Sequence, residues 1–286
     1  MASISVNGID LHHTLEGPEG APVVAFSNSL GATLAMWDAL LPALAGHYRI
    51  LRYDTRGHGA SGARDARTEI ADLSGDLVGL LDALGIARAH CVGLSLGGMT
   101  VQDLACRMPE RVISATLMAT AACLPSEEMW NERSRTVREK GLGALVEATL
   151  GRWFTSGFVE HEPAAVQAVR ERFVACDPVG YAACCGAIGR MDLRPGLGAL
   201  QAPTLVIAGR EDPSTPPTMA QEICDHVPQA ELVVLPKAAH LLAVERPDAV
   251  GPYLRVFLDR NSRHPITKKP PASRSPGASR LQVKGA

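Results

Sequence analysis

The stretch Cys91 to Met99, CVGLSLGGM, places a serine between two glycines at the end of an apolar run. The apolar residues before Gly93 are typical of a buried strand, and the apolar spacing after Ser95 is typical of an amphipathic helix. A G-x-S-x-G pattern in this context predicts a sharp, strained turn that exposes the serine hydroxyl. Side chains at positions 93 and 97 would crowd the neighbouring strand and helix, which explains the two glycines. The alternative is a glycine-rich helix start in which Ser95 is only an N-cap.

A serine nucleophile needs a base, and the base needs an acid that orients it. In a strand–turn–helix architecture of this kind, the acid and the histidine follow later strands of the same sheet, in the order Ser, acid, His. Asp212 follows the apolar run TLVIAG, and His240 follows ELVVLP. The sequence therefore predicts that Ser95, Asp212 and His240 are catalytic. Glu211 is the alternative acid, and His58 in DTRGHG is the alternative base.

Acyl transfer also needs two N–H donors for the negative charge that develops on the reacting carbonyl oxygen. The N–H of Leu96 is one candidate, because it follows the serine at a helix N-terminus. The second should come from the loop after an earlier strand. The stretch SNSLG, Ser27 to Gly31, follows the apolar run VVAF, and its glycine permits a tight, left-handed path. We therefore predict that the backbone N–H groups of Leu30 and Leu96 form an oxyanion hole.

Short apolar strands alternate with amphipathic helical patterns along most of the chain, after a hairpin predicted at Asn7-Gly8. This alternation predicts an α/β fold with a mainly parallel sheet and helices on both faces. Residues 122–198 interrupt it, because they carry helical patterns and no convincing strand. We expect this segment to form a helical lid over the carboxyl ends of the strands, inserted between core segments 1–121 and 199–261.

The composition of the 286-residue chain, with 46% hydrophobic and 20% charged residues, is that of an ordinary globular protein. Its net charge is −2, but residues 262–286 hold six of the 28 Lys and Arg residues and no acid. The remaining body is acidic, which argues against nucleic acid as a partner. The Pro-, Ser- and Gly-rich tail, 262–286, is predicted to be disordered.

The seven cysteines form no CxxC pair and no cluster with zinc spacing, so no metal site is predicted. The N-terminal residues lack the basic segment and apolar run of a signal peptide, and no apolar run reaches the length of a membrane span. These features predict a cytoplasmic protein with free thiols and no membrane contact. They give no indication of the oligomeric state.

Together with these patterns, residues 1–260 resemble the α/β-hydrolase fold family and, within it, the 3-oxoadipate enol-lactonases. The similarity lies in six stretches, namely SNSLG (27–31), MWD (36–38), LRYDTRGHGASG (51–62), GLSLGG (93–98), RWFT (152–155) and AHLLAVERPD (239–248). The resemblance implies hydrolysis of a small anionic enol lactone to 3-oxoadipate in the β-ketoadipate pathway of aromatic catabolism. It also implies a Ser-His-Asp triad, an acyl-enzyme and no metal or organic cofactor.

Other activities on the same scaffold stay open, since fold alone does not decide function. They are a carboxylesterase, a carbon–carbon hydrolase of ring-cleavage products and a cofactor-free perhydrolase. A non-catalytic ligand-binding member is a further alternative, against which the complete set of Ser, Asp and His argues. For the substrate, RWFT offers Trp153 as an apolar wall with one indole N–H. Arg133 is the candidate partner for the substrate carboxylate. Packing is the alternative role for Trp153, and simple solvation is the alternative for Arg133.

Overall fold

Eight strands form one sheet within residues 2–124 and 126–262, the parts of the chain that the computed structural model describes. In chain order the strands are β1 (Ala2–Val6), β2 (Ile9–Glu16), β3 (Val23–Ser27), β4 (Arg49–Tyr53), β5 (Ala89–Leu94), β6 (Val112–Met118), β7 (Thr204–Gly209) and β8 (Ala230–Leu235). Their spatial order is β1-β2-β4-β3-β5-β6-β7-β8. Strand β2 runs antiparallel to both of its neighbours, and strands β3 to β8 are all parallel. The predicted mainly parallel sheet is confirmed.

Helices cover both faces of this sheet, as the alternation of strands and helices predicts. The α-helices are α1 (Leu41–Leu44), α2 (Ile70–Ala83), α3 (Leu96–Arg107), α4 (Glu127–Lys140), α5 (Val146–Trp153), α6 (Ser156–His161), α7 (Pro163–Val174), α8 (Pro178–Arg190), α9 (Pro217–His226), α10 (Leu242–Glu245) and α11 (Pro247–Ser262). Successive strand side chains point to opposite faces. Strand β3 accordingly contributes Val24 and Phe26 to the core beneath α1 and α11, and Ala25 to the core beneath α2, α3 and α9.

Helices α4 to α8 lie in the connection between β6 and β7, where the sequence predicts a helical insertion. The two ends of this connection are held together. The N–H of Leu193 donates to the carbonyl oxygen of Ala122 at 2.8 Å, and Cys123 pairs with Asp192 in an isolated antiparallel bridge. We refer to residues 122–198 as the insertion.

The insertion packs on the loops that follow the carboxyl ends of β3 and β4. Gly57, after β4, lies so close to Gly180 of α8 that a Cβ on Gly57 would be 2.3 Å from the Gly180 Cα. Gly31, after β3, is equally confined, because its Cβ would lie 2.7 Å from the Phe173 ring of α7. The insertion therefore contacts two loops at the edge of the sheet where these parallel strands end.

The last helix, α11, ends at Ser262, one residue inside the segment that the sequence assigns to the tail. The Ser262 hydroxyl donates to the Leu258 carbonyl oxygen at 2.8 Å and lies 2.9 Å from His90 Nε2. Ser262 therefore belongs to the core, and the core boundary moves by one residue. The rest of the predicted disordered tail lies outside the described residues.

All seven cysteines are free thiols. Within the described ranges, no group of three or more His, Cys, Asp or Glu residues is arranged to hold a metal ion. No helix in those ranges is both long enough and apolar enough to cross a bilayer.

Candidate active site

Ser95 lies at the turn between β5 and α3 with φ of 55° and ψ of −113°, a conformation that is strained for any residue with a side chain. Two glycines make the turn possible. A Cβ on Gly93 would lie 2.1 Å from the Gly97 carbonyl oxygen, and a Cβ on Gly97 would lie 1.9 Å from the Ser27 carbonyl oxygen. The Ser95 side chain makes no capping hydrogen bond to α3. The N-cap interpretation is therefore not supported.

Asp212 and His240 are hydrogen-bonded to each other after the carboxyl ends of β7 and β8. His240 Nδ1 lies 2.7 Å from Asp212 Oδ2, and both side chains are buried. The Thr215 hydroxyl donates to Asp212 Oδ2 at 2.7 Å, and the N–H groups of Ser214 and Thr215 donate to Oδ1 at 2.8 and 3.1 Å. The carboxylate is thus held in place and accepts the Nδ1 proton, which leaves Nε2 of His240 as the acceptor.

The charge state of Asp212 follows from these contacts. Burial by itself raises the pKa of Asp212, but the His240 charge, its hydrogen bond and the Thr215 donors outweigh burial and hold the pKa below its usual range. Asp212 is therefore ionised at neutral pH and stabilises positive charge on the imidazole. A general base in a buried site needs this stabilisation when it takes up a proton.

Ser95, Asp212 and His240 follow strands whose carboxyl ends share one edge of the sheet. Ser95 comes directly after β5, Asp212 three residues after β7 and His240 five residues after β8. The Ser95 hydroxyl makes no hydrogen bond to any residue in the described ranges. The structure thus pairs the predicted acid with the predicted base, whereas the link from His240 to Ser95 stays a prediction.

The loop after β3 (residues 28–33, the β3 loop) has the tight path that the sequence predicts. Gly31 has φ of 80°, and the N–H of Ala32 donates to the Ser29 carbonyl oxygen at 3.1 Å. In the described chain the N–H of Leu30 has no acceptor. The N–H of Leu96 is the first of α3, where helix N–H groups lack partners within the helix. Both predicted donors are therefore unoccupied, and their convergence on one oxyanion stays a prediction.

His58, the alternative base, has both ring nitrogens engaged. Nε2 accepts the Gly31 N–H at 2.8 Å, and Nδ1 donates to the Arg56 carbonyl oxygen at 3.0 Å. Burial lowers the pKa of His58, which keeps the ring neutral and preserves both hydrogen bonds. His58 therefore has no free nitrogen for Ser95 and instead holds the β3 loop in place. This role was not predictable from the local sequence, because the partner glycine lies in a different loop.

Glu211, the alternative acid, makes no hydrogen bond with His240. Its side chain is exposed and forms no ion pair in the described chain. Its backbone N–H donates to the Ala238 carbonyl oxygen at 2.9 Å, which fixes the loop after β7 against the loop after β8. Asp212 is thus the acid that contacts the histidine.

A cavity of about 180 Å³ lies beside the β3 loop. Its walls come from the β3 loop, from helix α7 and from the segment after His240, and they include Gly31, Met36, Val169, Arg172 and Leu241. Gly31 follows Leu30 in the chain, and Leu241 follows His240. The cavity therefore reaches the segments that carry two of the predicted site residues.

Trp153, the predicted substrate wall, is the last residue of α5. Its side chain is buried, and its ring meets the Phe173 ring edge-on at 5.5 Å between centroids. Its carbonyl oxygen accepts the Leu241 N–H at 2.9 Å, next to His240. No described residue accepts the indole N–H. Trp153 thus packs in the insertion and also touches the segment that carries the histidine.

Arg133, the predicted carboxylate partner, lies in α4 and is not paired with an acid in the described chain. Its Nε donates to the Tyr181 hydroxyl at 2.8 Å, and its Nη2 donates to the Thr149 hydroxyl at 3.0 Å. Its guanidinium group lies 5.6 Å from the centroid of the Tyr181 ring. The side chain is therefore ordered by neutral partners rather than solvated.

Residues 31–251, most of the chain, match the sequence profile of the alpha/beta hydrolase family. The chain belongs to the α/β hydrolase family. The strained turn at Ser95 and the acid–histidine pair after the last two strands fit this architecture. The resemblance of the sequence to the α/β hydrolases is confirmed.

Within the family, the chain is similar to proteins with more specific names. The chain is 36% identical over 258 residues to 3-oxoadipate enol-lactonase 2 of Acinetobacter baylyi, a match that covers 90% of this hydrolase and 96% of that protein. The crystal structure of an enol-lactonase from Burkholderia xenovorans LB400 superimposes with a TM-score of 0.88 at 41% identity, covering 90% of this hydrolase and 99% of that chain. A protein of Variovorax paradoxus that is provisionally named a carbamate hydrolase, RutD, is 34% identical and covers 88% of this hydrolase and 97% of its own length.

The hydrolase has a buried carboxylate near His240 that sequence analysis did not identify. Glu245 Oε1 accepts the N–H and the hydroxyl of Thr155 at 2.8 and 2.6 Å, and Oε2 accepts the Ala239 N–H at 2.7 Å. Glu245 therefore ties the insertion to the loop that carries the histidine. The only signal was its presence in the AHLLAVERPD stretch, where nothing local distinguishes it from an exposed helix residue.

Proposed function

We propose that this α/β hydrolase cleaves 3-oxoadipate enol-lactone to 3-oxoadipate through an acyl-enzyme on Ser95. The observation that carries the proposal is the buried 2.7 Å hydrogen bond between His240 Nδ1 and Asp212 Oδ2, at the edge of the sheet that bears the strained serine. The choice of substrate rests on the similarity to the enol-lactonases of A. baylyi and B. xenovorans.

In the first step, Ser95 Oγ attacks the lactone carbonyl carbon while His240 Nε2 accepts the hydroxyl proton. A C–O bond forms to the serine, and the ring C–O bond breaks. The electron pair of the broken bond stays on the ring oxygen, which leaves as an enolate. The enolate takes the proton from His240 and tautomerises to a ketone, so this leaving group needs little further stabilisation.

In the second step, water attacks the carbonyl carbon of the acyl-enzyme while His240 Nε2 takes one of its protons. The bond between the acyl carbon and Ser95 Oγ breaks, and the proton passes to the serine oxygen. The new carboxylic acid releases its remaining proton to solvent. One water molecule is consumed for each lactone, and Asp212 stays ionised throughout.

The negative charge on the carbonyl oxygen is stabilised by the N–H groups of Leu30 and Leu96. Removing one donor from an oxyanion hole costs about 10²- to 10³-fold in rate. A backbone donor is not removed by changing its own side chain. The contribution of the Leu30 N–H is therefore tested by removing the hydrogen bond from Gly31 to His58, which fixes the β3 loop.

The insertion acts as the lid of this site. It packs on the β3 loop and on the segment after His240, so it shields the reacting atoms from bulk water. Trp153 supplies an apolar wall for the lactone ring and one N–H donor that no described residue uses. The cavity between the β3 loop and α7 reaches Gly31 and Leu241, the residues that follow Leu30 and His240, and we infer that a small molecule enters the site from it.

The proposed function is tested by following the ultraviolet absorbance of the enol lactone with purified protein. We expect catalytic turnover by the wild type and none by Ser95→Ala. A panel of nitrophenyl acetate, a simple carbamate, a ring-cleavage diketone and peroxide with acetate covers the alternative activities. An enol lactone that is stable to the protein, beside a panel substrate that is turned over, would reject the proposal.

Carbamate hydrolysis is the second candidate, because the V. paradoxus relative is also similar over most of its length. A carbamate offers the same carbonyl to Ser95, but it lacks the enol leaving group and the carboxylate arm of the lactone. A higher kcat/KM for the carbamate than for the enol lactone would favour this candidate.

The cytoplasmic location stays a prediction.

A further inference from the structure

Two partly buried arginines of the insertion have no acidic partner in the described chain. Arg133 donates only to the neutral hydroxyls of Tyr181 and Thr149, at 2.8 and 3.0 Å. Arg152, in α5, forms no hydrogen bond and no ion pair with a described residue. Both side chains are partly buried. Charges withdrawn from water are normally paired, so these guanidinium groups lack a counter-ion.

The other arginines of the insertion either pair with a carboxylate or are exposed to solvent. Five of them bind a carboxylate, in the pairs Arg135–Glu132, Arg138–Asp65, Arg170–Glu147, Arg190–Glu69 and Arg194–Asp192. Arg172 has no carboxylate partner in the described chain either, but its side chain is exposed and water solvates it. The lack of a partner at partly buried positions therefore distinguishes Arg133 and Arg152.

The two arginines are near each other, because Arg133 Nη2 donates to the Thr149 hydroxyl and Thr149 lies three residues before Arg152 in α5. Burial and then the charge of Arg133 lower the pKa of Arg152, and the nearby Tyr181 offsets only part of this effect. Like charges in a partly dehydrated region destabilise the free protein. An anion bound between them would relieve the repulsion and accept hydrogen bonds from both planar groups.

Arg133 is connected to the β3 loop through one aromatic ring. Tyr181 binds the Arg133 guanidinium with its hydroxyl and lies against Gly31 with its ring edge. A Cβ on Gly31 would be 3.0 Å from that ring. Arg133 is therefore one side chain away from the segment that carries Leu30.

Arg152 is connected to the histidine in a similar way. The next residue, Trp153, accepts the Leu241 N–H at 2.9 Å, and Leu241 directly follows His240. Arg133 thus contacts a residue that packs on Gly31, and Arg152 precedes a residue whose backbone contacts the segment after His240.

We propose that Arg133 and Arg152 together bind a carboxylate of the substrate, so that the hydrolase selects short lactones and esters that carry a terminal carboxylate. The position of the reacting carbonyl rests on the proposed function. The enol lactone of 3-oxoadipate carries its carboxylate on a short arm of the ring, on the side away from the carbonyl that Ser95 attacks.

Two lactones with the same ring separate charge recognition from chemistry. One is 3-oxoadipate enol-lactone, and the other is 5-methylfuran-2(3H)-one, in which a methyl group replaces the acetate arm. We expect Arg152→Gln to raise KM for the acetate-bearing lactone at least about tenfold and to change kcat/KM for the methyl lactone less than about twofold. Arg138→Gln removes a charge from a more exposed position of the insertion and is the matched control, which should change neither value.

Equal losses on both lactones, or no change on either, would overturn the carboxylate site. A wild type that cleaves neither lactone would reject the proposed function without deciding the role of the arginines. Titration calorimetry with adipate, a dicarboxylate of the product's length, then decides it without turnover. We expect adipate to bind the wild type and Arg138→Gln, and to bind Arg152→Gln at least about tenfold more weakly. Equal binding by the three proteins, or no binding by any, would overturn the assignment.

Discussion

The Nε2 atom of His58 accepts a hydrogen bond from the backbone N–H of Gly31 at 2.8 Å, which joins the loop after β4 to the loop after β3. This bond fixes the peptide that follows Leu30. It requires a neutral ring, since a protonated Nε2 would present a donor to a donor. His58 of the DTRGHG stretch therefore positions the β3 loop and has no free ring nitrogen for Ser95.

Replacement of His58 should reduce kcat more than it changes KM. In His58→Ala the β3 loop loses its anchor, and we expect kcat to fall about 10- to 100-fold, less than the loss of a complete oxyanion donor. His58→Gln keeps an acceptor near the Nε2 position and should recover part of the rate. Steady-state kinetics measures kcat and KM of both variants, and their melting temperatures are compared with that of the wild type to exclude unfolding. An unchanged kcat in His58→Ala would contradict the role of this bond.

Ser95→Ala should abolish turnover and leave the fold intact. The strained turn depends on its glycines, not on the hydroxyl, so we expect kcat/KM below about a hundredth of wild type and a nearly unchanged melting temperature. Gly97→Ala is the opposite control, because its Cβ would lie 1.9 Å from the Ser27 carbonyl oxygen and should prevent folding. Activity of Ser95→Ala above about a hundredth would exclude the serine as nucleophile.

Two variants of Trp153 separate packing from substrate contact. Trp153→Ala removes the edge contact with Phe173 and should lower the melting temperature, since the ring is buried. Trp153→Phe keeps most of the apolar contact and removes the unused N–H. We expect Trp153→Phe to raise KM for the enol lactone and to spare neutral nitrophenyl acetate. Equal effects on the two substrates would place Trp153 in the packing alone.

His90 is a buried histidine, and neither of the causes that shift its pKa stabilises the protonated ring. Its ring nitrogens lie 2.7 and 2.9 Å from the hydroxyls of Ser114 and Ser262, and the neighbouring cation is Arg88. Burial first and the Arg88 charge second lower the pKa of His90 from 6.5 to about 4. The folded protein therefore resists protonation at a pH at which the unfolded chain is already protonated.

The free energy of unfolding should accordingly fall as the pH falls from about 6.5 to about 4, because the unfolded state binds more protons than the folded state in this window. Above pH 6.5 the full contribution of the neutral His90 should be present. The lowered pKa corresponds to a loss on the order of 3 kcal/mol from His90 alone. Melting temperatures between pH 4 and 7.5 measure it. His90→Gln keeps the hydroxyl partners and should flatten the acid side of the curve, whereas an unchanged curve would contradict the role of His90.

Deletion of residues 263–286 should leave kcat/KM within about twofold of wild type, since the described contacts of α11 with the core are made by Pro247–Ser262. Deletion that also removes Ser262 should lower the melting temperature, because the hydroxyl that faces His90 is lost. Comparison of the two truncated proteins measures both effects. A soluble protein without 263–286 that is tenfold slower would place the tail at the site.

The sequence was sufficient for those features that depend on local pattern. The apolar runs and the glycines around Ser95 gave the strand, the turn and the helix, because the period of apolar residues and the space needed at Gly93 are local properties. The apolar run VISATLMAT continues to Thr120, but β6 ends at Met118, since Ala119 has φ of 41° and leaves the extended conformation. Strand ends of this kind depend on neighbours that a single segment does not contain.

The residues that hold the site together were less accessible to sequence analysis. Glu245 binds Thr155 across 90 positions, and His58 binds Gly31 across 27 positions. Each has a side chain that is common on protein surfaces, and only burial against a distant backbone N–H gives it a role. The pairing of Asp212 with His240 was predictable, because both follow recognisable strands at one edge of the sheet.

The order of strands along the chain has a consequence for synthesis on the ribosome. β5 and its strained serine are made long before β7 and β8, which bring Asp212 and His240. At about 5 to 20 residues per second, the nascent chain spends on the order of ten seconds with a serine turn and no base. Under the proposed mechanism, a partly translated chain therefore lacks the base that activates Ser95, and the complete set of proposed catalytic residues is present only when the last strand docks at the edge of the sheet.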